Sequence, residues 1–184
     1  MSCLYIREVR SDLDIPGLGP SLREHILDKR NSAARNASLS AWNLLCDALG
    51  SVHEDILFDG NGRPYLPSGP HFSLSHSASL AAVLVSQAPC GVDIEKIDDR
   101  IAKRLASRCL HPNEQNPDFF ECWTKKECLV KRDGLGLFAH PERIDTTAYD
   151  NLFFTTRICD SAGQVYVLST ICEDATKIKQ VLRR

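Results

Sequence analysis

The spacing of apolar residues predicts strands and helices in the first half of the chain. Residues Cys3 to Val9 alternate enough to predict a strand, and residues 14–21 form a turn-rich stretch. The stretch from Leu22 to Leu49 contains no Pro or Gly, and its apolar residues recur at helical spacing. We therefore expect one or two helices that end at Gly50. A short strand is expected at Ile56 to Phe58, before the turn sequence D-G-N-G-R-P.

Two further strands are predicted before a candidate linker, and more elements are predicted beyond it. Two apolar runs, H-F-S-L-S-H-S and L-A-A-V-L-V-S, predict adjacent strands. The linker between two halves is S-Q-A-P-C-G, at residues 86–91. Beyond it we expect a strand at 92–97 and a helix at 101–109. A second helix should run from a cap at Asp118 to about Arg132 and be terminated by Gly134, and a hairpin should be formed by 152–159 and 164–172. The basic tail, residues 173–184, has no clear pattern.

Composition narrows the class of protein. The chain has 184 residues, 22 Lys and Arg against 24 Asp and Glu, and a net charge of −2, with 43% hydrophobic residues. These values are typical of one soluble globular domain, or of two small halves sharing a core, and argue against nucleic-acid binding through bulk charge. Eight cysteines without a C-x-x-C pair argue against a structural zinc cluster. The N-terminal segment reads as neither a signal peptide nor a membrane span, so we expect reduced thiols, a cytoplasmic location and no membrane association.

Two acidic residues occur in the segment G-V-D-I-E. On a strand, Asp93 and Glu95 point to the same face, while Val92 and Ile94 point to the core. Neighbouring carboxylates repel each other unless a cation lies between them or water screens them. The segment therefore indicates either a divalent-cation site or a solvated edge strand.

An acid and a base share one face of the helix predicted over W-T-K-K-E-C-L-V-K. Glu127 and Lys131 are four residues apart and hence neighbours on the helix surface, and Lys126 adjoins Glu127. The alternative is a surface helix with one ion pair, which contributes only about 0.3–0.5 kcal/mol.

The segment F-S-L-S-H-S combines hydroxyls with an imidazole. Alternation places Phe72, Leu74 and His76 on one face and the three serines on the other. A His flanked by hydroxyls near a strand end suits a phosphate group. A Ser/His nucleophilic pair is disfavoured because adjacent strand residues point apart and the chain has no G-x-S-x-G sequence.

Basic residues elsewhere are scattered. Arg63 lies in the turn G-R-P, where the flanking Gly and Pro restrict the backbone. The others in the first half are Arg23, Lys29, Arg30 and Arg35. Such residues usually belong to the solvated surface, and they become informative only where they converge on a polyanion.

The order of these segments is more specific than any one of them. G-R-P, F-S-L-S-H-S, G-V-D-I-E and W-T-K-K-E-C-L-V-K together resemble the 4′-phosphopantetheinyl transferase superfamily in its larger, surfactin-synthetase-activating (Sfp) type. The resemblance implies an α+β pseudo-dimer of two similar α+β halves. Each half would be a small antiparallel sheet packed with helices, with the active site between the halves. The implied halves are residues 1–88, which grip coenzyme A, and residues 89–184, with the magnesium site and catalytic helix.

The resemblance also implies an activity and roles for residues. Such enzymes transfer the phosphopantetheine arm of coenzyme A to a serine of an apo acyl or peptidyl carrier protein, with Mg²⁺, and release adenosine 3′,5′-bisphosphate. Asp93, Glu95 and Glu127 would be the magnesium ligands. Glu127 would be the general base, directly or through a water on the metal, and Lys131 would reach the pyrophosphate. The residues implied for coenzyme A binding are Arg35, Arg63, Ser75, His76, Lys126 and Lys131, with Arg23 and Arg30 as further helpers.

The chain departs from the family pattern at a few positions. Arg63 stands where Lys is common, and Ser73 stands where Asn is common. The segment between Glu95 and Trp123 is short for this type, which leaves the preferred carrier protein open. The 90 residues before Gly91 suit a fused first half, so we expect a monomer rather than the trimer of the smaller carrier-synthase type.

Two other functions use the same residues. A metal-dependent phosphohydrolase acting on nucleotides would need the same acids and bases. A non-catalytic module that binds coenzyme A or a carrier protein would need only part of them. The helix residues Lys103, Arg104 and Arg108 are either a solvated face or a patch that contacts an acidic carrier helix.

Overall fold

The computed structural model describes residues 2–13, 19–29, 31–50, 56–114, 118–135, 140–173 and 178–182. These residues form an α+β fold, as predicted. In chain order the elements are β1 (Ser2–Glu8), α1 (Pro20–Leu27), α2 (Ser32–Leu49), β2 (Leu57–Phe58), β3 (Pro64–Tyr65), β4 (His71–Ser77), β5 (Leu80–Ser86), β6 (Gly91–Lys96), α3 (Asp99–Cys109), α4 (Phe119–Asp133), β7 (Phe153–Cys159), β8 (Val165–Ile171) and β9 (Ile178–Leu182). Two 3₁₀ helices, Pro141–Arg143 and Thr146–Leu152, lie between α4 and β7.

The helix boundaries follow capping residues that the sequence contains. The side chain of Asn31 accepts a hydrogen bond at the start of α2, and Gly50 ends this helix at a left-handed φ of 73°. The Asp118 carboxylate accepts two backbone N–H groups at the start of α4, and Gly134 ends it at φ 66°. The predicted cap at Asp118 and the predicted helix ends at Gly50 and Gly134 are confirmed.

The strands form two main sheets. One has the order β4-β5-β1-β9, and the other has the order β6-β8-β7. Strands β2 and β3 form a separate two-stranded ladder. In each main sheet a strand is followed along the chain by helices and then by a hairpin, whose second strand lies beside the first strand.

Strand β9 corrects the expectation that each half contains an antiparallel sheet. It pairs in parallel with β1, with Ser2 opposite Ile178 and Ile6 opposite Leu182, so the first sheet is mixed rather than antiparallel. The C-terminal stretch thereby joins the sheet that contains the N-terminal strand. The physical reason is that β1 would otherwise present an unpaired edge, which β9 covers.

A shared core joins the two sheets. Leu4 of β1, Leu84 of β5, Ile94 of β6 and Leu168 of β8 are all fully buried in one cluster. A second cluster, which includes Trp42 of α2, packs the N-terminal helices on the first sheet. Since apolar burial drives association, the shared cluster holds the two sheets together.

All eight cysteines lie in described parts of the chain and are free thiols. Five are buried, namely Cys90, Cys109, Cys122, Cys128 and Cys172, whereas Cys159 is exposed. The expectation that most are small core residues therefore matches their positions. None of the helices in the described ranges is long and apolar enough to cross a bilayer.

Candidate active site

Helix α4 lies against strand β6 at a glycine. A Cβ atom on Gly91 would lie 2.0 Å from the backbone oxygen of Cys128, so only glycine allows this approach. The approach brings Lys131 to the strand: its Nζ donates hydrogen bonds to Asp93 Oδ1 at 2.6 Å and to the Val92 carbonyl at 3.1 Å. The two segments that the sequence singled out, G-V-D-I-E and W-T-K-K-E-C-L-V-K, therefore form one site.

Asp93 is the most buried acid of the site, with 3% of the residue exposed. Its Oδ1 accepts hydrogen bonds from Lys131 and, at 2.8 Å, from the hydroxyl of Ser75. Its Oδ2 is buried and has no hydrogen-bond partner among the described residues. A buried carboxylate oxygen without a partner is costly, so a ligand that pairs with Oδ2 would be favoured.

Burial and the negative charge of Asp93 disfavour the ionised forms of the other two acids, Glu95 and Glu127. Burial, and then the charge of Asp93, raises the pKa of Glu95 to about 7. Burial and the same charge also raise the pKa of Glu127. Burial lowers the pKa of Lys131, but the Asp93 carboxylate outweighs it, so the net shift is upward and the ammonium stays charged. The site has more negative charge than one lysine balances.

The donor chemistry of these acids fits magnesium. Mg²⁺ prefers carboxylate oxygens and keeps several waters, and Asp93 Oδ2 offers an unpaired oxygen of this kind. Within the described ranges, no three His, Cys, Asp or Glu side chains meet closely enough to form a metal cluster. The fit therefore rests on donor type, charge and the unpaired oxygen rather than on a closed set of ligands.

A cavity of ≈ 390 Å³ adjoins Glu127 and Lys131. Its other lining residues include Arg63, Phe72, Trp123 and Val130. A second cavity of ≈ 330 Å³ shares Arg63 and Phe72 and extends to Tyr65 and His71. The two cavities together suit an elongated ligand that has both apolar and anionic parts.

Arg63 joins the turn after β2 to the end of α4. Its Nη1 donates to the carbonyl of Arg132 at 3.0 Å, and Nδ2 of the neighbouring Asn61 donates to the carbonyl of Gly134 at 2.7 Å. The Asp59 carboxylate accepts the backbone N–H of Arg63 at 2.9 Å. The Arg63 guanidinium thus contacts the end of α4, and Arg63 lines both cavities.

His76 has basic surroundings. It is half-buried on β4, and its pKa is lowered by burial and then by the charges of Lys131 and Lys29. Arg35, on α2, donates from Nη2 to the Lys29 carbonyl at 3.5 Å, and its buried Nε has no hydrogen-bond partner among the described residues. The charges of Lys29 and Lys131 make the surroundings of His76 favourable for an anion. Arg23 is exposed on α1, and Arg30 lies outside the described residues.

Lys126 does not join the site, contrary to expectation. Its side chain is fully buried, and Nζ lies 2.9 Å from Glu114 Oε2 and donates to the carbonyls of Pro141 and Ile144. Because successive residues on a helix are rotated by about 100°, Lys126 faces away from the helix side that carries Lys131. Lys126 therefore connects α4 to neighbouring segments and does not line either cavity that adjoins Arg63, so the predicted role in coenzyme A binding is wrong.

We expect Lys126→Met to lower the free energy of unfolding by about 3–5 kcal/mol, because it leaves Glu114 buried without its cation. Urea unfolding measures this loss. The matched control is Lys125→Met on the same helix, whose pair with the exposed Asp150 should matter by less than about 1 kcal/mol. Equal losses in the two variants would contradict the structural role of Lys126.

Two serines have partners that the sequence did not indicate. The Ser75 hydroxyl, expected at a phosphate, instead contacts Asp93 and the Ile94 N–H. The Ser77 hydroxyl donates to Glu95 Oε2 at 2.8 Å. The sequence did contain one signal for these contacts. These two serines of β4 and the acids of β6 have the same two-residue spacing, so the two strands can lie side by side with each of the two serines opposite an acid.

Comparisons with known proteins identify relatives of this chain. The family model of the 4′-phosphopantetheinyl transferase superfamily matches residues 89–174, which include the acids of β6 and α4. The chain is 35% identical over 107 residues to the 4′-phosphopantetheinyl transferase gsp of Aneurinibacillus migulanus, covering 51% of this chain and 45% of that relative. It is 29% identical over 118 residues to the 4′-phosphopantetheinyl transferase Sfp of Bacillus subtilis (strain 168), covering 58% and 53%.

The chain thus spans about half the length of several relatives that it matches. The chain is also 30% identical, over a longer stretch of 157 residues, to the 4′-phosphopantetheinyl transferase AcpT of Escherichia coli (strain K12). This match covers 77% of the chain and 78% of that relative. With both halves of the sequence included in the match, the chain belongs to the 4′-phosphopantetheinyl transferase superfamily.

Proposed function

We propose that the protein transfers the 4′-phosphopantetheine arm of coenzyme A to a serine of an apo carrier protein. The bisphosphate released would be adenosine 3′,5′-bisphosphate. The observation that carries this proposal is the junction of β6 and α4. There Lys131 contacts Asp93, the charge of Asp93 acts on Glu95 and Glu127, and Asp93 Oδ2 has no hydrogen-bond partner among the described residues. Family membership identifies the chemistry for which this junction is suited.

The residues of the site have separable roles in such a transfer. The serine oxygen of the carrier attacks the β-phosphorus, and the bond from that phosphorus to the oxygen of the leaving bisphosphate breaks. Glu127 accepts the serine proton, for which its raised pKa is suited. Lys131 stabilises the negative charge of the pyrophosphate oxygens. Asp93, Glu95 and Glu127 would hold Mg²⁺, which neutralises pyrophosphate charge when bound.

The basic region of the first half would bind the nucleotide part of coenzyme A. We assign the 3′-phosphate to His76, with Arg35 and Arg63 completing the contacts. Support comes from the unpaired Arg35 Nε, from the two cationic neighbours of His76 and from the position of Arg63 at both cavities. Binding of an anion should oppose the lowered pKa of His76 and favour its protonated form.

We further propose that the chain is a pseudo-dimer of two halves that acts as a monomer. The matching strand orders β4-β5-β1 and β7-β8-β6 support a repeated unit, and the site draws side chains from both sheets. Sedimentation velocity should therefore show a single-chain species, whereas an obligate trimer would refute this proposal.

An acidic acyl or peptidyl carrier protein is the proposed partner. Helix α3 directly follows β6, the strand that carries Asp93 and Glu95. Its exposed basic residues are Lys103, Arg104 and Arg108. A basic helix face can steer an acidic partner toward the site.

The reaction is tested by incubating the protein with coenzyme A, Mg²⁺ and several apo carrier proteins, followed by intact-mass measurement. We expect a carrier whose mass increases by one phosphopantetheine group, with no increase when the carrier serine is replaced by Ala. Breakdown of coenzyme A without a carrier would favour the phosphohydrolase. Binding without either reaction would favour the non-catalytic module.

The raised pKa of Glu95 predicts a pH-dependent stability. The folded state holds its proton up to about pH 7, whereas the unfolded state loses it near pH 4.5. Folding stability therefore falls as the pH rises through this window, by about 3 kcal/mol at most. We expect Glu95→Gln to be more stable than the wild type at pH 8 without metal, and equally stable below about pH 4.5.

Thermal unfolding across pH checks this expectation, with Glu24→Gln on the exposed side of α1 as the control. Added Mg²⁺ should raise the unfolding temperature of the wild type at pH 8 more than that of Glu95→Gln, because it binds the charged site. A Glu95→Gln profile parallel to that of the wild type would show that Glu95 titrates normally.

A further inference from the structure

Three serines on β4 form a row along β6. Ser73, Ser75 and Ser77 occupy alternate positions, and each hydroxyl oxygen accepts one backbone N–H of β6, at 3.0, 3.4 and 3.1 Å in that order. The amides belong to Val92, Ile94 and Lys96. Strands β4 and β6 are edges of different sheets, so this serine row joins the sheets where a backbone ladder does not.

Two members of the serine row also touch the acids. The hydroxyl of Ser75 donates to Asp93 Oδ1, and that of Ser77 donates to Glu95 Oε2, both at 2.8 Å. The residue in the corresponding position beside Ser73 is Gly91, which has no side chain. Ser73 therefore shares the backbone contact but lacks the contact to an acid on β6.

The contacts leave one oxygen of each carboxylate for another partner. Ser75 and Ser77 each bind a single oxygen, and Asp93 Oδ2 is buried without a hydrogen-bond partner in the part of the chain that the structure describes. A hydroxyl that donates to one carboxylate oxygen fixes the rotation of the carboxylate and hence the direction of the other oxygen. Outer-shell partners of this kind orient metal ligands.

We propose that Ser75 and Ser77 are positioning residues that orient Asp93 and Glu95 for a divalent cation. Strand β4 would thereby set the geometry of a site whose ligands lie on β6 and α4. The inference rests on the proposed function, since it assumes that these acids bind the cation. It adds a role for the serines that neither phosphate binding nor strand packing requires.

The test compares Ser77→Ala with Ser73→Ala. Each variant removes one hydroxyl contact between β4 and β6, but only Ser77→Ala removes a contact to an acid. Binding of Mn²⁺ as the probe is measured by calorimetry at pH 8, without coenzyme A or carrier. We expect Ser77→Ala to bind Mn²⁺ about 10-fold more weakly than the wild type, Ser73→Ala to remain within about twofold, and Ser77→Thr, which keeps the hydroxyl, to restore binding.

Equal Mn²⁺ affinity in Ser77→Ala and the wild type would overturn the positioning role while leaving the proposed metal site intact. Equal weakening in Ser77→Ala and Ser73→Ala would overturn it as well, because strand packing alone would then explain the loss. Absence of Mn²⁺ binding by the folded wild type would instead contradict the metal site itself. If Ser77→Ala fails to fold, Ser77→Cys provides the comparison, since a thiol is a weak donor of similar size.

Discussion

Replacement of Glu127 by Gln is expected to reduce phosphopantetheine transfer by about 10²–10⁴-fold, the range for loss of a general base. The variant also removes one of the three acids proposed to hold Mg²⁺, so the lower end of the range is the minimum expected. Stability should not fall, because burial and Asp93 raise the pKa of Glu127 and its ionised form is unfavourable in the fold. Loss of rate without loss of stability would separate a catalytic role from a structural one.

The measurement is the initial rate of carrier modification by intact mass, at saturating coenzyme A and Mg²⁺. Glu121→Gln provides the matched control, since it makes the same chemical change in the first turn of α4. Its rate should equal that of the wild type. A transfer rate of Glu127→Gln within about threefold of the wild-type rate would contradict the assignment of Glu127 as the general base.

The second large effect is expected for Gly91→Ala. The added Cβ would lie 2.0 Å from the Cys128 carbonyl oxygen, so α4 must move away from β6. Overpacking of this kind costs about 1–3 kcal/mol of folding stability. A displacement of about 1 Å between the acids on β6 and those on α4 should also lower transfer by about 10²-fold.

Urea unfolding and the transfer assay report the two losses separately. Gly60→Ala is the control, because a Cβ at that position meets nothing within 4 Å. This control should retain the stability and activity of the wild type. If Gly91→Ala kept full activity and stability, the close approach of α4 to β6 could not be what assembles the site.

Local pattern was sufficient for elements whose signals are close together in the sequence. The α4 helix has a cap at Asp118 and a glycine at 134, and the β7–β8 hairpin has a turn between two apolar runs. Strand β9 lacked such signals. Its pairing with β1 joins residues about 175 positions apart, and the apolar residues of the tail are too few to indicate a strand by themselves.

The candidate site likewise combines residues that sequence spacing indicates with contacts that only tertiary packing determines. The sequence indicated Asp93, Glu95, Glu127 and Lys131, because each pair has the spacing that places its members on one face of a strand or helix. It also suggested Lys126, which adjoins Glu127 in the chain. Only the packing of α4 showed that Lys126 binds Glu114 on another side of the helix.

The sequence by itself therefore determined the family and the α+β class, and it indicated most side chains of the candidate site. Periodicity and motif order are properties of the sequence itself, so they can be recognised without knowledge of the fold. The tertiary structure decided which oxygen of Asp93 is unpaired, which lysine meets it and what the serine row contacts. Those facts depend on the meeting of β4, β6 and α4 across long stretches of chain, which side-chain packing and the missing side chain of Gly91 make possible.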